Sequence, residues 1–147
     1  MTDCGDGRYD GLLLSNQMCF PLYAASREIL RRYKPILDEL GLTYTQYITM
    51  LVLWERGTVS VREIGSTLYL DSGTLTPVLK KLEQKGLIVR RRDESDERLL
   101  DISPTEEGMA LREKALEVPV KICGCVDLTK EEAETLCKIL SKLLSKE

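Results

Sequence analysis

Five cysteines and the absence of histidine define the chemistry that this sequence can support. The cysteines are Cys4, Cys19, Cys123, Cys125 and Cys137. A thiolate reacts with a peroxide to give a sulfenic acid, which condenses with a second thiol or is oxidised further. Without histidine, the chain lacks the commonest general base and the commonest transition-metal ligand. The odd number of cysteines and their spacing do not fit a disulfide scaffold. In a reducing compartment they are buried side chains, metal ligands or redox-active thiols.

Cys19 lies in the stretch NQMCFPLY, near the start of a predicted helix. The N-terminus of a helix favours the thiolate, which is the reactive form of cysteine. Cys19, Tyr23 and Arg27 recur at i, i+4 and i+8 and therefore share one helical face. Taken alone, this pattern is more typical of a small buried side chain, because free cysteine is among the most buried residue types.

Cys123 and Cys125 form the triplet CGC late in the chain. Such a pair could provide a resolving thiol for another cysteine, half of a thiolate metal site, or no chemistry at all. A metal site would need further ligands, and there is no histidine to supply them. We therefore predict no metal and no cofactor. We interpret Cys4 as part of a loose tail and Cys137 as one position on the apolar stripe of the last helix.

The segment from Leu70 to Arg98 combines hydroxyl residues at a helix start with a series of cations that favour DNA binding. The hydroxyl residues are Ser72, Thr74 and Thr76, and the cations considered for DNA contact are Lys80, Lys81, Arg90, Arg91, Arg92 and Arg98. Hydroxyl and backbone N–H groups at a helix N-terminus can donate to phosphates, and Ser and Thr also contact base edges. Arg98 is placed to reach a minor groove, oriented by a charge-assisted hydrogen bond that it donates to the Asp96 carboxylate. The alternative is a solvated basic face on an ordinary helix and hairpin.

The overall charge does not exclude DNA binding. The net charge of the 147 residues is −3, but binding needs only a local basic face. The length fits one domain with its own core. No apolar run reaches the roughly 20 residues of a membrane span, and the start MTDCGDGRYDG lacks the features of a signal peptide. We therefore expect a cytoplasmic protein with no membrane partner.

Capping signals, glycines and prolines divide the chain into helices and one hairpin. The first predicted helix begins at about Leu13–Ser15, capped by Ser15 or Asn16, and bends at Pro21, or it begins nearer Phe20, because Pro21 fits a first turn. This helix is broken or kinked before Pro35, and a short segment Ile36–Leu40 follows. The other predicted elements are helices Tyr44–Arg56 and Val61–Leu68 behind capping boxes; a helix capped by Ser72 with Pro77 inside it; a hairpin of Leu87–Arg92 and Arg98–Ser103; a helix from Ser103 and Pro104 to Val118; and a last helix Lys130–Leu144 behind a capping box. This order indicates a mostly α fold with a small β-hairpin, a winged helix-turn-helix. The flanking helices are amphipathic and must pack on each other or on a second copy.

The stretch DSGTLTPVLKKLEQKGLIVRRRDESDERLLDISPTEEG closely resembles the winged core of MarR-family transcriptional regulators, whose wing carries an Asp-x-Arg pattern, here Asp96-Glu97-Arg98. The stretches NQMCFPLYAASREI, LDELGLTYTQY and LYLDSGTLTPVLK resemble the organic-hydroperoxide-sensing repressors of that family. The resemblance covers nearly the whole chain and implies one domain. Residues 1–40 and 104–147 would form dimerisation helices, and residues 43–103 would form the DNA-binding lobe. It further implies a non-enzymatic homodimer on double-stranded DNA, with pseudo-palindromic half-sites about one helical turn apart.

The resemblance also implies roles for individual residues. The reactive cysteine of the subgroup matches Cys19, with hydrogen bonds from Tyr33 and Tyr44, while Tyr23 would approach from the partner subunit. Some members carry a resolving cysteine about where Cys123 and Cys125 fall, reached across the dimer. Tyr33 is 14 residues past Cys19, about 21 Å along a straight helix, so it reaches the same thiol only across a dimer or around a bend. We expect organic hydroperoxides or related oxidants to release a repressor from its operator by oxidising Cys19.

Three alternatives remain open from the sequence. The first is a MarR-type regulator released by a small phenolic or drug-like ligand, which would respond without any cysteine. The second is a thiol peroxidase, although the PxxxTxxC pattern is absent around Cys19 and the chain has no CxxC. The third is a metal sensor that uses Cys123 and Cys125.

Overall fold

The computed structural model describes residues 7–92 and 100–144, which form a winged helix-turn-helix lobe flanked by longer helices. The elements are α1 (Cys19–Asp38), α2 (Tyr44–Arg56), β1 (Val59–Ser60), α3 (Val61–Leu68), α4 (Ser72–Gln84), β2 (Ile88–Arg92), β3 (Leu100–Pro104), α5 (Glu106–Ala115), α6 (Glu117–Cys125) and α7 (Lys130–Leu144). Two short 3₁₀ turns, Gly7–Leu12 and Leu14–Asn16, precede α1. The predicted fold class is confirmed. The predicted wing tip, with Asp96 and Arg98, and also Cys4 lie outside the described residues.

Reciprocal side-chain caps begin three of the helices, as the sequence predicts. The Thr43 side chain accepts from the Gln46 N–H at the start of α2, and the Gln46 side chain accepts from the Thr43 N–H. Ser60 and Glu63 make the same pair at the start of α3, and an equivalent pair begins α7 at Thr129. Each box satisfies two N–H groups that a helix leaves unpaired at its first turn.

The predicted start of α1 nearer Phe20 is confirmed, whereas the start near Ser15 and the break at Pro35 are wrong. The helix begins at Cys19 rather than near Ser15, because the preceding residues form 3₁₀ turns instead. It also continues through Pro35 to Asp38. Proline removes one backbone hydrogen bond from a helix, but the next residue, Ile36, is buried in the core. Burial of an apolar side chain contributes about 1.5–3 kcal/mol, which offsets much of the cost of the lost bond.

Asp71, not Ser72, caps α4. The Asp71 carboxylate accepts from the Thr74 N–H at 2.9 Å and from the Thr74 hydroxyl at 3.0 Å. These hydrogen bonds lower the pKa of Asp71, with the backbone N–H contributing most. Aspartate is among the strongest N-cap residues. The cap is therefore Asp71, and Ser72 is the first residue of the helix. Pro77 lies inside α4, as expected from its position.

The region after the wing also differs from the prediction. Pro104 ends β3 and pairs with Ile88, so it does not open a helix. Thr105 caps α5, accepting from the Gly108 N–H at 3.0 Å. The helical path is interrupted at Leu116 rather than at Pro119, which lies in the first turn of α6. Proline is tolerated in a first turn because those N–H groups have no partner within the helix.

The three strands form an antiparallel sheet in the order β1-β3-β2, so the hairpin is extended by one short strand. The central residue Ile102 is fully buried between Val59 of β1 and Arg90 of β2. The core of the lobe joins the sheet to α2, α3 and α4. Trp54 anchors α5 to this core by donating from its indole N–H to the Gly108 carbonyl at 2.8 Å.

Two apolar surfaces remain exposed in the described part of a single chain. None of the described residues of α7 is buried, and this helix makes few contacts with the other described elements. The exposed apolar residues of the two surfaces are Leu12, Leu13, Leu14, Met18, Phe20, Leu22 and Tyr23 on the N-terminal side, and Leu136, Ile139, Leu143 and Leu144 on α7. Contiguous exposed apolar surface of this kind marks an interaction face. No helix among the described residues is long and apolar enough to cross a membrane.

Candidate functional site

The Cys19 thiol is exposed at the first position of α1. Met18 precedes it and provides no side-chain cap, so the first N–H groups of the helix are not covered by a capping side chain. One turn further on, the Tyr23 hydroxyl accepts a hydrogen bond from Arg27 at 3.0 Å, and the Arg27 guanidinium also lies 5.6 Å from the centre of the Tyr23 ring. The thiol and its nearest tyrosine therefore share the exposed N-terminal surface.

Tyr33 and Tyr44 are in contact at the opposite end of α1. Their ring centres are 4.9 Å apart in an edge-to-face arrangement, and Tyr47 lies 6.1 Å from Tyr33. Tyr33 lies in the second-last turn of α1, whereas Tyr44 is the first residue of α2. The turn at Gly41 between the two helices, which adopts a positive φ of 66°, thus brings the two predicted tyrosines together.

Burial raises the pKa of Tyr33, and the neighbouring Tyr44, Tyr47 and Cys123 add to the increase. Burial likewise raises the pKa of Tyr44, and burial followed by the proximity of Tyr44 raises that of Tyr47. These phenols are therefore protonated at neutral pH and act as O–H donors. A pair of donors in contact can stabilise a thiolate or a sulfenate brought to them.

Cys19 and the tyrosine pair are not brought together within one chain. Because α1 is continuous from Cys19 to Asp38, no break lets Cys19 fold back on Tyr33, which lies about 21 Å away along a straight helix. The described residues provide no hydrogen bond to the Cys19 thiol. Each chain thus presents the exposed Cys19 thiol and, at a distance from it, the Tyr33–Tyr44 pair of phenol donors.

The two late cysteines lie on the last turn of α6, both free and exposed. Helix α6 packs against α1, and an ion pair of 2.7 Å between Lys121 and Glu39 holds it there. Cys123 is close enough to Tyr33 to influence the pKa of that phenol. The carbonyl of Cys125 accepts a hydrogen bond from Arg32 of α1. The tyrosine pair therefore has a thiol beside it, although that thiol is not Cys19.

The predicted DNA-contact residues of α4 lie on one exposed surface. Ser72, Thr74 and Thr76 at its start are exposed, as are Lys80 and Lys81 one turn later. The buried face of the same helix packs into the core through the residues Leu75, Leu79 and Leu82. The hydroxyl of Thr76 donates to the Ser72 carbonyl at 2.7 Å, and that of Thr74 donates to Asp71. These hydroxyl oxygens retain lone pairs, and the threonine methyl groups remain available for apolar contact with thymine.

The three arginines of β2 do not have equal surroundings. Arg91 and Arg92 are exposed, whereas Arg90 is half-buried. Two nitrogens of Arg90 donate to one oxygen of Glu83, at 2.8 and 2.5 Å. This pairing lowers the pKa of Glu83 and raises that of Arg90. Arg90 therefore connects β2 to the end of α4 through Glu83, whereas the sequence predicts that it contacts DNA.

Lys85 connects α4 to the start of α2, and the sequence does not predict this contact. Its ammonium donates to the Gln46 side-chain oxygen at 2.9 Å and to the Gly41 carbonyl. Gln46 is only 2% exposed and forms, with Thr43, the capping box around Tyr44 at the start of α2. Lys85 thus joins the end of α4 to the turn that positions the tyrosine pair. These partners are 39 and 44 residues apart in sequence, so no local pattern indicates the contact.

The winged lobe, with exposed hydroxyl and cationic side chains on α4 and β2, defines the chain as a DNA-binding transcriptional regulator. A family model described as "Transcriptional regulator SarA/Rot" matches residues 31–115. The chain therefore belongs to this family of transcriptional regulators, and its predicted kinship with the MarR regulators of the organic-hydroperoxide type is confirmed by the relatives that follow.

Relatives are similar to this chain over nearly its whole length. The organic hydroperoxide resistance transcriptional regulator of Bacillus subtilis is 51% identical over 138 residues, which cover 94% of this chain and 92% of the relative. The structure of reduced AbfR bound to DNA has a TM-score of 0.78 and 36% identity, covering 91% of this chain and 92% of that one. Disulfide-formed AbfR has a TM-score of 0.65 and 38% identity, covering 92% and 96%. AbfR is a protein of Staphylococcus epidermidis.

Proposed function

We propose that this chain is a dimeric repressor that leaves its operator when organic hydroperoxides oxidise Cys19. The observation that carries the proposal is the separation of the exposed Cys19 thiol from the Tyr33–Tyr44 pair along an unbroken α1. Each chain holds one half of a thiol site, and a second copy is needed to complete it. The similarity to a hydroperoxide resistance regulator and to oxidised and reduced AbfR supports the same reading.

In this proposal the dimer is formed by residues 1–40 and 104–147, and the DNA-binding lobe by residues 43–103. The exposed apolar residues on the N-terminal side and on α7 support this division, because a second copy would cover them. The phenol donors Tyr33 and Tyr44 would then come from the partner of the chain that carries Cys19. Tyr23, one turn from Cys19 on the same helix, would belong to the thiol's own chain, contrary to the expectation from the resemblance.

The chemistry begins with the Cys19 thiolate. It attacks one oxygen of the hydroperoxide, the O–O bond breaks, the hydroperoxide proton passes to the leaving oxygen to give an alcohol, and the sulfenate left on Cys19 takes a proton from water to become a sulfenic acid. A second thiol then attacks the sulfenic sulfur and releases water, leaving a disulfide. The tyrosine hydroxyls donate hydrogen bonds to the thiolate sulfur. When that sulfur becomes part of a disulfide, it no longer accepts these hydrogen bonds in the same geometry.

Cys123 is the better candidate for the second thiol. It lies on α6, which packs against α1, and it is near enough to Tyr33 to add to the rise in the pKa of that phenol, so it is close to where the phenol pair would receive Cys19 from the partner chain. Cys125 is two residues further, at the end of α6, and its backbone is hydrogen-bonded to Arg32. A thiol already next to the docking position of Cys19 needs less movement to form the disulfide.

The operator is bound by the α4 surface and the wing. Ser72, Thr74, Thr76, Lys80 and Lys81 would enter or flank a major groove, with Arg91 and Arg92 on the backbone and Arg98, oriented by Asp96, in a minor groove. Arg90 would position the wing through Glu83. Two lobes of a symmetric dimer require two half-sites at a fixed distance, so any change in their spacing weakens binding. A regulator that acts on DNA in this way would work in the cytoplasm.

The change at the thiol reaches α4 through the Tyr44 end of α2. Tyr44 is followed by Gln46, whose side chain bonds to Lys85 at the end of α4. Movement of the tyrosine pair on oxidation would thus be transmitted through the first turn of α2 and the buried Gln46 side chain to Lys85 at the end of α4.

Operator binding of Cys19→Ser protein tests the proposal. DNA selected from a random pool by the reduced protein serves as the probe, and fluorescence anisotropy follows its release by cumene hydroperoxide. Cys19→Ser is expected to bind as the wild type does and to remain bound after treatment, while Cys137→Ser, the matched control on α7, is released. Release of Cys19→Ser at the wild-type dose would refute Cys19 as the sensor. Release of a cysteine-free variant by a phenolic acid would instead support the ligand-sensing alternative.

A further inference from the structure

We propose that Cys125 takes over the disulfide from Cys19, so that the pair Cys123–Cys125 becomes the final oxidised form and Cys19 returns to its thiol. This inference rests on the proposed function, because Cys19 must first be linked to Cys123 of the partner chain. The added step is a thiol–disulfide exchange that follows the formation of the disulfide between Cys19 and Cys123. The protein would then end its own response without an external reductant.

The two thiols lie where a short disulfide can form at low cost. Both are free and exposed on the last turn of α6, which ends at Cys125. Residues two apart in a helix have Cα atoms about 5.4 Å apart, within the range of about 4.4–6.8 Å that a disulfide spans. Their Cβ atoms point about 200° apart around the axis, so the last turn must open before the sulfurs meet.

The last turn of α6 can leave its helical conformation at Gly124 and Val126. Val126 already has extended backbone angles, φ −114° and ψ 116°, and its N–H makes a long hydrogen bond of 3.4 Å to the Cys123 carbonyl. Gly124 between the cysteines has no side chain, and a Cβ added there would meet nothing within 4 Å. Glycine adopts non-helical angles at no steric cost. Opening this turn therefore disturbs no packed side chain at Gly124, and the hydrogen bonds at stake are those at the end of the helix and the one from Arg32 to the Cys125 carbonyl.

The exchange is balanced and needs no further oxidant. The Cys125 thiolate attacks the sulfur of Cys123 in the disulfide with Cys19 of the partner. The Cys123–Cys125 bond forms, the Cys19–Cys123 bond breaks, and Cys19 leaves as a thiolate. The proton that Cys125 gives up is recovered by Cys19, so the number of oxidised thiols is unchanged. A thiol two residues away has a high effective concentration, which favours this step over attack by a dissolved thiol.

The consequence is a transient response. Once Cys19 is reduced again, its sulfur can accept hydrogen bonds from the partner's tyrosines, and the two chains are no longer cross-linked. Operator binding returns while the oxidising equivalents remain on α6. A dimer that has already reacted in this way lacks a free Cys123, and a second oxidation of Cys19 would proceed to other products.

Peptide mapping after a single dose of cumene hydroperoxide tests the exchange. Trypsin places Cys19 in peptide 9–27 and both late cysteines in peptide 122–130. With free thiols alkylated at each time point, the interchain disulfide appears as peptide 9–27 joined to peptide 122–130. The exchanged disulfide appears as unalkylated peptide 122–130, lighter by two hydrogens than the reduced peptide.

In the wild type we expect the joined peptides to rise and then fall as the light peptide 122–130 accumulates and DNA binding returns. In Cys125→Ser the joined peptides should persist, and the protein should stay off DNA until a reductant is added. Cys137→Ser, the control, should follow the wild type. Joined peptides that persist equally in the wild type and in Cys125→Ser would overturn the proposal.

A light peptide 122–130 that forms as fast in Cys19→Ser as in the wild type would also overturn the exchange, since the pair would then oxidise directly. Failure of the proposed function gives a different pattern. In that case Cys19→Ser itself is released from DNA by the hydroperoxide, and joined peptides are missing even from Cys125→Ser, where exchange cannot remove them.

Discussion

Replacing Lys85 by methionine tests the route from the tyrosine pair to the recognition helix. Methionine keeps an unbranched chain of similar length but cannot donate to Gln46 or to the Gly41 carbonyl. A hydrogen bond from a charged donor contributes about 1.5–3 kcal/mol when its loss leaves a buried partner unsatisfied. Here the Gln46 oxygen keeps the Thr43 N–H at 3.1 Å, and water can reach exposed Gly41.

The expected loss of stability is therefore below that range, about 1 kcal/mol, or a lower melting temperature by about 2–4 °C for a chain of this size. If the same contact transmits the oxidation signal, the ratio of operator affinities in the reduced and oxidised states should shrink by up to about fivefold, the equivalent of that energy. Chemical denaturation measures the first effect, and anisotropy titrations of both redox states measure the second.

Lys114→Met is the matched control, because it removes the same charge from an exposed position on α5. It should change neither the stability nor the affinity ratio. An unchanged affinity ratio in Lys85→Met, together with the expected loss of stability, would show that Lys85 is a structural contact only. An unchanged stability would show that the two hydrogen bonds do not hold in solution.

Two further substitutions test the packing of α5 and the protonation of the phenols. In Gly108→Ala the new Cβ would lie 2.1 Å from the Leu87 carbonyl oxygen, so backbone must shift and the protein should lose about 3 kcal/mol or more by urea denaturation. Gly124→Ala, with open space around it, should be near neutral; equal effects of the two would contradict the close approach. The pKa of Tyr33 is raised in the folded state, so folding favours the protonated phenol. Its contribution to the free energy of unfolding is therefore present below the ordinary tyrosine pKa of about 10 and is lost as the pH rises above that value. Tyr33→Phe should flatten this alkaline decline in unfolding free energy and Tyr9→Phe, at an exposed tyrosine, should not; identical alkaline profiles for all three proteins would count against burial of the phenol.

Local signals in the sequence predicted most of the fold. The capping boxes at Thr43 and Ser60 mark helix starts because their hydrogen bonds join residues three apart, which the sequence displays directly. The sequence predicts that Pro35 breaks the helix, but α1 continues through it. The burial of Ile36 decides this outcome, and it is a tertiary contact that the local sequence does not display. Asp71 and Ser72 are both good caps, and neighbouring candidates of similar propensity cannot be ranked from sequence.

The candidate site was predictable only in part. The residue types and the family resemblance single out Cys19, Tyr33 and Tyr44, but spacing along one chain cannot show which of them meet. The contact between Tyr33 and Tyr44 depends on the turn between α1 and α2, and the link from Lys85 to Gln46 depends on the packing of helices distant in sequence. Arg90 looked like its neighbours in the sequence, and only the nearby Glu83 separates it from them.

Mixed dimers provide the most direct test of the central claim that Cys19 of one chain uses the tyrosines of the other. One chain carries Cys19→Ser and keeps its tyrosines, while the other keeps Cys19 and carries Tyr33→Phe and Tyr44→Phe. Both homodimers are deficient, but a mixed dimer assembles one complete site across the interface. We predict that Cys19 in the mixed dimer reacts with cumene hydroperoxide at the wild-type rate per site, as measured by alkylation and mass spectrometry. A rate equal to that of the Tyr33→Phe, Tyr44→Phe homodimer would contradict the account.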